Sequence, residues 1–126
     1  MKIKFSNLTA NEIDIIEHRI IKILKKKKEL TLHSYKKMQS KKISSKDITE
    51  VLRHHDLVEC DISEDDFRVL LESKSEKNSK RTVVCLSLVS GVIITVYKRD
   101  RKYPDIRYTI DNCLNVMAAY NFLVRC

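Results

Sequence analysis

Two periodicities divide the chain. Between residues 8 and 54 apolar side chains recur every three or four positions; between 57 and 99 they alternate or gather in short β-branched blocks. The first rhythm predicts amphipathic helices and the second strands. Ile13, Ile16, Ile20, Ile23 and Leu24 form one stripe and predict a helix over 10–28. Thr9 stands at its N-cap with Glu12 three residues on, a capping box, and Leu8 is placed to staple to Ile13. Thr31 opens a second helix over 32–41, with Tyr35 and Met38 as its inward residues. A third, over 45–54, is signalled by Ser44 as cap, Asp47 at the third helical position and the Ile43/Ile48 staple. Ile48, Val51 and Leu52 are its inward positions.

The strand-like half begins with a short run over 57–62 and a longer one over 67–74. A polar loop over 73–79 follows. Then comes RTVVCLSLVSGVIITVYKRDR (81–101), two β-rich runs broken at Ser90-Gly91, which reads as a hairpin. A three-residue loop, Val89-Ser90-Gly91, gives the cleaner division of faces. It pairs Leu88 with Val92, Leu86 with Ile94 and Val84 with Val96, and places Gly91 where a left-handed backbone is needed. Arg81, Tyr97 and Arg99 then share one end of the opposite face. A weaker edge strand is expected over 2–5 and another over 105–109, beyond the stop at Tyr103-Pro104. Ile110, Leu114, Met117, Ala118 and Phe122 predict a C-terminal helix over 110–124. The expected fold is α+β: N-terminal helices and a C-terminal helix packed on an antiparallel β-meander. With 126 residues it is read as a single domain, 1–126.

Charge sharpens this outline. The net charge is +8, and it is unevenly placed. Arg19 to Lys46 holds eleven basic residues and a single acid, Glu29, whereas Glu59, Asp61, Glu64, Asp65 and Asp66 fall close together. A basic segment of this density suits a polyanion. Part of it has a local explanation, since Lys25 to Lys28 end the first helix, where the dipole favours cations. No apolar run is long enough to cross a bilayer and no signal peptide is read, so a cytoplasmic protein without membrane contact is expected. Cys60, Cys85, Cys113 and Cys126 contain no C-x-x-C, and His54-His55 point apart on a helix. Reduced thiols and no metal or cofactor are the expectation.

TLHSYKKMQSKKISSKDITEVL, followed by a meander and by GVIITVYKR, resembles a small bacterial and phage domain family that in turn resembles the RelE/BrnT-like toxins. The shared features are T-x-H-x-x-x-x-M, I-S-x-x-D-[IV] and a strand ending in V-I-T-V-Y. They cover about residues 30–99 and leave the helices over 10–28 and 110–124 outside. Where that family carries Arg-Gly after its first helix, this chain has Lys41-Lys42. The resemblance implies helices on an antiparallel sheet and metal-independent cleavage of RNA. Such cleavage needs a base for the 2′-hydroxyl, cations for the phosphorane and an acid for the leaving oxygen. His33 is the candidate base or acid, Arg81 and Arg99 the cations, and Tyr97 a stacking or proton-donating ring. Lys36, Lys37, Lys41, Lys42, Arg68, Lys98 and Arg101 are the candidate nucleic-acid contacts. The alternative is a non-catalytic phage-type binding or inhibitor protein acting on a host nucleoprotein such as a CRISPR effector. The partners expected are RNA or a nucleoprotein, with a protein target or antitoxin as the further class.

Overall fold

The computed structural model describes residues 2–26, 29–76 and 79–99. The helix expected over 110–124, the strand expected over 105–109 and Arg101 lie outside the described residues.

Both capping boxes form as the sequence dictates. Thr9 Oγ1 accepts from the Glu12 amide at 3.2 Å while Glu12 Oε1 accepts from the Thr9 amide at 2.7 Å, opening α1 (Ala10–Leu24). The chain then makes a two-residue strand, β2 (Glu29–Leu30), and enters α2 (Leu32–Lys41). Ser44 and Asp47 repeat the reciprocal cap at the start of α3 (Ser45–Arg53). Ahead of α1, β1 (Lys2–Lys4) is the expected short edge strand. The meander is β3 (His55–Ile62), β4 (Phe67–Ser73), β5 (Arg81–Ser87) and β6 (Val92–Arg99).

Among the described residues six strands form one sheet in the order β1-β3-β4-β5-β6-β2, antiparallel except for β2 alongside β6. That parallel pair corrects two expectations. The first helix stops at Leu24 instead of running to 28, because Glu29 and Leu30 pair with Val92 and Ile93. The sheet is accordingly not wholly antiparallel.

The core lies between one sheet face and the helices. Ile16, Ile20 and Ile23 of α1 and Ile48, Val51 and Leu52 of α3 meet Ile3, Cys60, Val69, Leu71, Val84, Leu86, Ile93 and Val96. The hairpin register holds at Val84↔Val96 but shifts between Cys85 and Leu86, so that Leu86 lies opposite Ile93. This bulge revises the expected core: Val84, Leu86, Leu88 and Val96 are buried as expected, whereas Val92 and Ile94 are half-buried and Ile93 is inside. The turn is one residue longer than the three expected. The Gly91 amide donates to Ser87 O at 2.9 Å, and Gly91 takes φ +76°. Arg19 of α1 fixes the same turn, donating to Leu88 O at 2.6 Å and to Val89 O at 3.0 Å.

His55 ties three elements together. Its Nδ1 lies 2.8 Å from Val51 O of α3 and its Nε2 2.9 Å from Glu17 Oε1 of α1. Both partners are acceptors, so the arrangement favours the imidazolium, the form that donates from both nitrogens. Burial pulls its pKa down, but the Glu17 carboxylate and the Val51 carbonyl outweigh that and leave it above its ordinary value. It is a structural histidine.

Candidate functional site

The basic segment is organised by how α2 meets the margin of the sheet. After β2 the Thr31 amide donates to Ile93 O at 3.1 Å, and its hydroxyl donates to Ile94 O at 2.9 Å. The same oxygen accepts from the Ser34 amide and so caps α2. Ser34 Oγ, fully buried, reaches Ile93 O at 3.0 Å. A polar side chain is therefore an inward residue of this helix, because the surface it meets is a row of backbone carbonyls that need donors. Met38 packs inward too, as expected, but Tyr35 does not. It is one residue round the helix from Ser34 and is 50% exposed.

The outward face of α2 consequently carries Leu32, 69% exposed, with Tyr35 and Lys36, and His33 is exposed beside them. Gln39 Nε2 donates to the Tyr35 hydroxyl at 2.9 Å. Lys41 and Lys42 are exposed at the helix end, and Lys37 is half-buried. Lys42 occupies the left-handed position that closes the helix, at φ 54° and ψ 45°.

The second expected group is the row on the non-core face of the sheet. Cys85, Val83 and Arg81 lie opposite Thr95, Tyr97 and Arg99. His33 Nε2 lies 3.1 Å from Thr95 Oγ1, so α2 brings its histidine to the head of this row. His33, Tyr97, Arg99 and Arg81 thus share one side of the sheet, but Thr95 and Arg99 are four residues apart, roughly 13 Å along a strand. The guanidinium of Arg81 has structural partners. Nη1 donates to Ser73 O and Lys74 O, both at 2.9 Å, Nη2 is 3.4 Å from Glu76, and Nε is 3.9 Å from the buried Glu72. It clamps the β4–β5 connection. Val83 and Glu72 are fully buried, so this face is less open than a bare half-polar surface. Lys98 is half-buried and alternates to the core face, between Tyr97 and Arg99.

Arg68 shares the non-core face but sits at the other end of β4, opposite Ser87. Its Nε donates to Asp66 Oδ2 at 2.8 Å. Burial pushes the Asp66 carboxyl up, yet hydrogen bonds from Arg68, the Ser87 hydroxyl (2.7 Å) and the Phe67 amide (2.8 Å) hold it below its usual range. Asp66, Arg68 and Ser87 line a cavity of about 490 Å³ together with Asp61, Ser63 and Asp65. The acids of β3 lie three strand spacings from β6, roughly 14 Å. Lys2 and Lys4 of β1 stand opposite Asp61 and Glu59, so these acids have cations of their own beside them, and Arg68 belongs with this group.

Among the described residues no group of three or more His, Cys, Asp or Glu is disposed to hold a metal ion. Cys60 is buried and Cys85 half-buried; burial raises both thiols, Cys85 to about 11, which makes them poor nucleophiles. No helix among the described residues is long and apolar enough to cross a membrane. No family model, curated protein or solved structure matches this chain. The site is therefore read from its own geometry. Tyr35 and Leu32 are the residues that sequence reasoning missed. The signal was Ser34, whose hydroxyl can enter an interior if it meets a carbonyl.

Proposed function

We propose that this protein binds RNA through the basic margin that α2 forms along the sheet. The observation that supports the reading is a difference between its cations. Arg68 and Arg81 are held by carboxylates or carbonyls of their own chain, whereas Lys36, Lys41 and Lys42 pair with no carboxylate among the described residues. Cations left unneutralised on one margin release counterions when they meet phosphates, and that drives association. The test is fluorescence anisotropy of a labelled RNA in EDTA at several salt concentrations. Affinity is expected to fall steeply between about 50 and 200 mM salt. Replacing Lys36, Lys37 and Lys41 together by Glu should weaken binding and flatten the salt dependence by about one unit of slope per lysine. An affinity indifferent to both would reject RNA and point to a protein target recognised by shape.

Cleavage is the second reading, and His33 beside Thr95, in line with Tyr97 and Arg99, favours it. Single-turnover assays in EDTA between about pH 5 and 8, the range in which a histidine changes charge, separate the two. Cleavage abolished in His33→Ala with RNA affinity retained, and slowed about 10²–10³ in Arg99→Ala, would support an enzyme. Wild-type protein that binds and never cuts is a binding or inhibitory module.

A further inference from the structure

We infer that the outward face of α2 is a stacking platform for unpaired RNA bases, with Tyr35 as the receiving ring. The inference rests on the RNA reading above and adds which form of RNA is bound. Leu32 and Tyr35 are three residues apart, so they are neighbours on one helix face, and both are largely exposed. Lys36 follows directly and is exposed. The exposure of Tyr35 comes from the helix docking itself. Ser34 takes the inward position because it satisfies Ile93 O, and this rotates the ring outward. Gln39, one turn on, donates to the Tyr35 hydroxyl and holds the ring along the helix. A ring fixed in place loses little freedom when a base settles on it.

An exposed ring beside lysines suits a ligand that offers a flat apolar surface next to negative charge. An RNA duplex does not: its bases are stacked on each other, its major groove is too deep and narrow for side chains to read, and it presents phosphates and sugars. Unpaired RNA offers a base face at every nucleotide beside its phosphates. A tyrosine and a leucine next to lysines match that alternation of base and charge.

The experiment measures anisotropy of a labelled twelve-nucleotide single-stranded RNA and of the duplex with its complement, in EDTA. Wild type, Tyr35→Phe and Tyr35→Ala are compared after thermal unfolding shows each to be folded. The single strand should bind at least about tenfold more tightly than the duplex. Tyr35→Ala should weaken the single strand by about fivefold to a hundredfold, the usual range for one lost stack, without changing the salt slope. Duplex binding should stay unchanged, and Tyr35→Phe, which keeps the ring, should stay within about twofold of wild type. Equal affinity for both forms, or an unaffected Tyr35→Ala, overturns the platform while leaving RNA binding intact. No binding of either RNA removes the underlying reading as well.

Discussion

The bulge in the β5–β6 hairpin makes a sharp prediction, because it exchanges the roles of two adjacent isoleucines. Ile93 is 1% exposed and lies opposite Leu86 in the core; Ile94 is only half-buried. Truncating a fully buried isoleucine costs its transfer free energy and leaves a cavity, about 2–5 kcal/mol together. Ile93→Ala should lose that amount. Ile94→Ala should lose less than about 1 kcal/mol, since much of its surface already meets water and the surroundings need open no cavity. The bond from Thr31 to Ile94 uses the backbone carbonyl and survives the change. For a chain of this size each kcal/mol moves Tm by about 4 °C. The expected losses are therefore about 8–20 °C and less than about 4 °C. Urea unfolding followed by circular dichroism gives the free energies. Should Ile93→Ala fail to fold, Ile93→Val against Ile94→Val keeps the comparison, with about 0.5–1.5 kcal/mol expected at the buried site. Equal losses, or a larger one at Ile94, would restore the unbulged register and refute the placement of the core on this strand.

Three further outcomes are expected. Lys42→Gly should stabilise the protein by about 0.5–1 kcal/mol in urea unfolding, because a side chain in the left-handed region is strained where glycine is not; no gain would mean that Lys42 is not held there in solution. Gly91→Ala should destabilise by about 1–2 kcal/mol, through its positive φ rather than a clash, since an added Cβ meets Ile23 Cγ1 at 3.6 Å, an ordinary contact; a neutral result would argue against the turn. The His55–Glu17 pair should make stability depend on pH. The folded pKa is raised, so the contribution is complete below the ordinary value of 6.5 and is lost as pH rises through the raised one. Urea midpoints measured from about pH 5 to 9 should fall across that window in wild type and less in Glu17→Gln; parallel profiles would discount the pair.

What was legible in the sequence was local. Thr9 with Glu12 and Ser44 with Asp47 satisfy each other within three residues, so both helix starts could be read directly. The α+β class and the order of the meander followed from the change of period near residue 55. What escaped reading was set at a distance. Two residues, Glu29 and Leu30, carry no strand pattern of their own, and only the unpaired side of β6 makes them one. The bulge depends on how Ile93 fits against Leu86 and the helices, and alternation alone puts Ile94 there. Tyr35 was misplaced because its ring carries far more apolar surface than a serine, whereas the surface at that point was a line of carbonyls. The same error hid the candidate site, since the residues facing away from the sheet are the ones a ligand meets. The partners of Arg68 and Arg81 were equally out of reach, for charge is visible in a sequence and its neutralisation is not.

The narrow margins of the sheet have a consequence for self-association. Among the described residues strands of seven and eight residues fill its middle, yet it ends in strands of three and two, β1 and β2. Long open margins invite the same margin of another copy and so seed fibrils. Here α2 lies along one of them and takes the carbonyls of Ile93 and Ile94 for itself. The segment that leads into the lysine-bearing helix thus closes this stretch of β6 to the margin of another copy. Substitutions at Thr31 or Ser34 that loosen it should betray themselves first as aggregation on heating, before any loss of secondary structure, and ligand bound on the outer face of the helix should delay that aggregation by holding the segment in place.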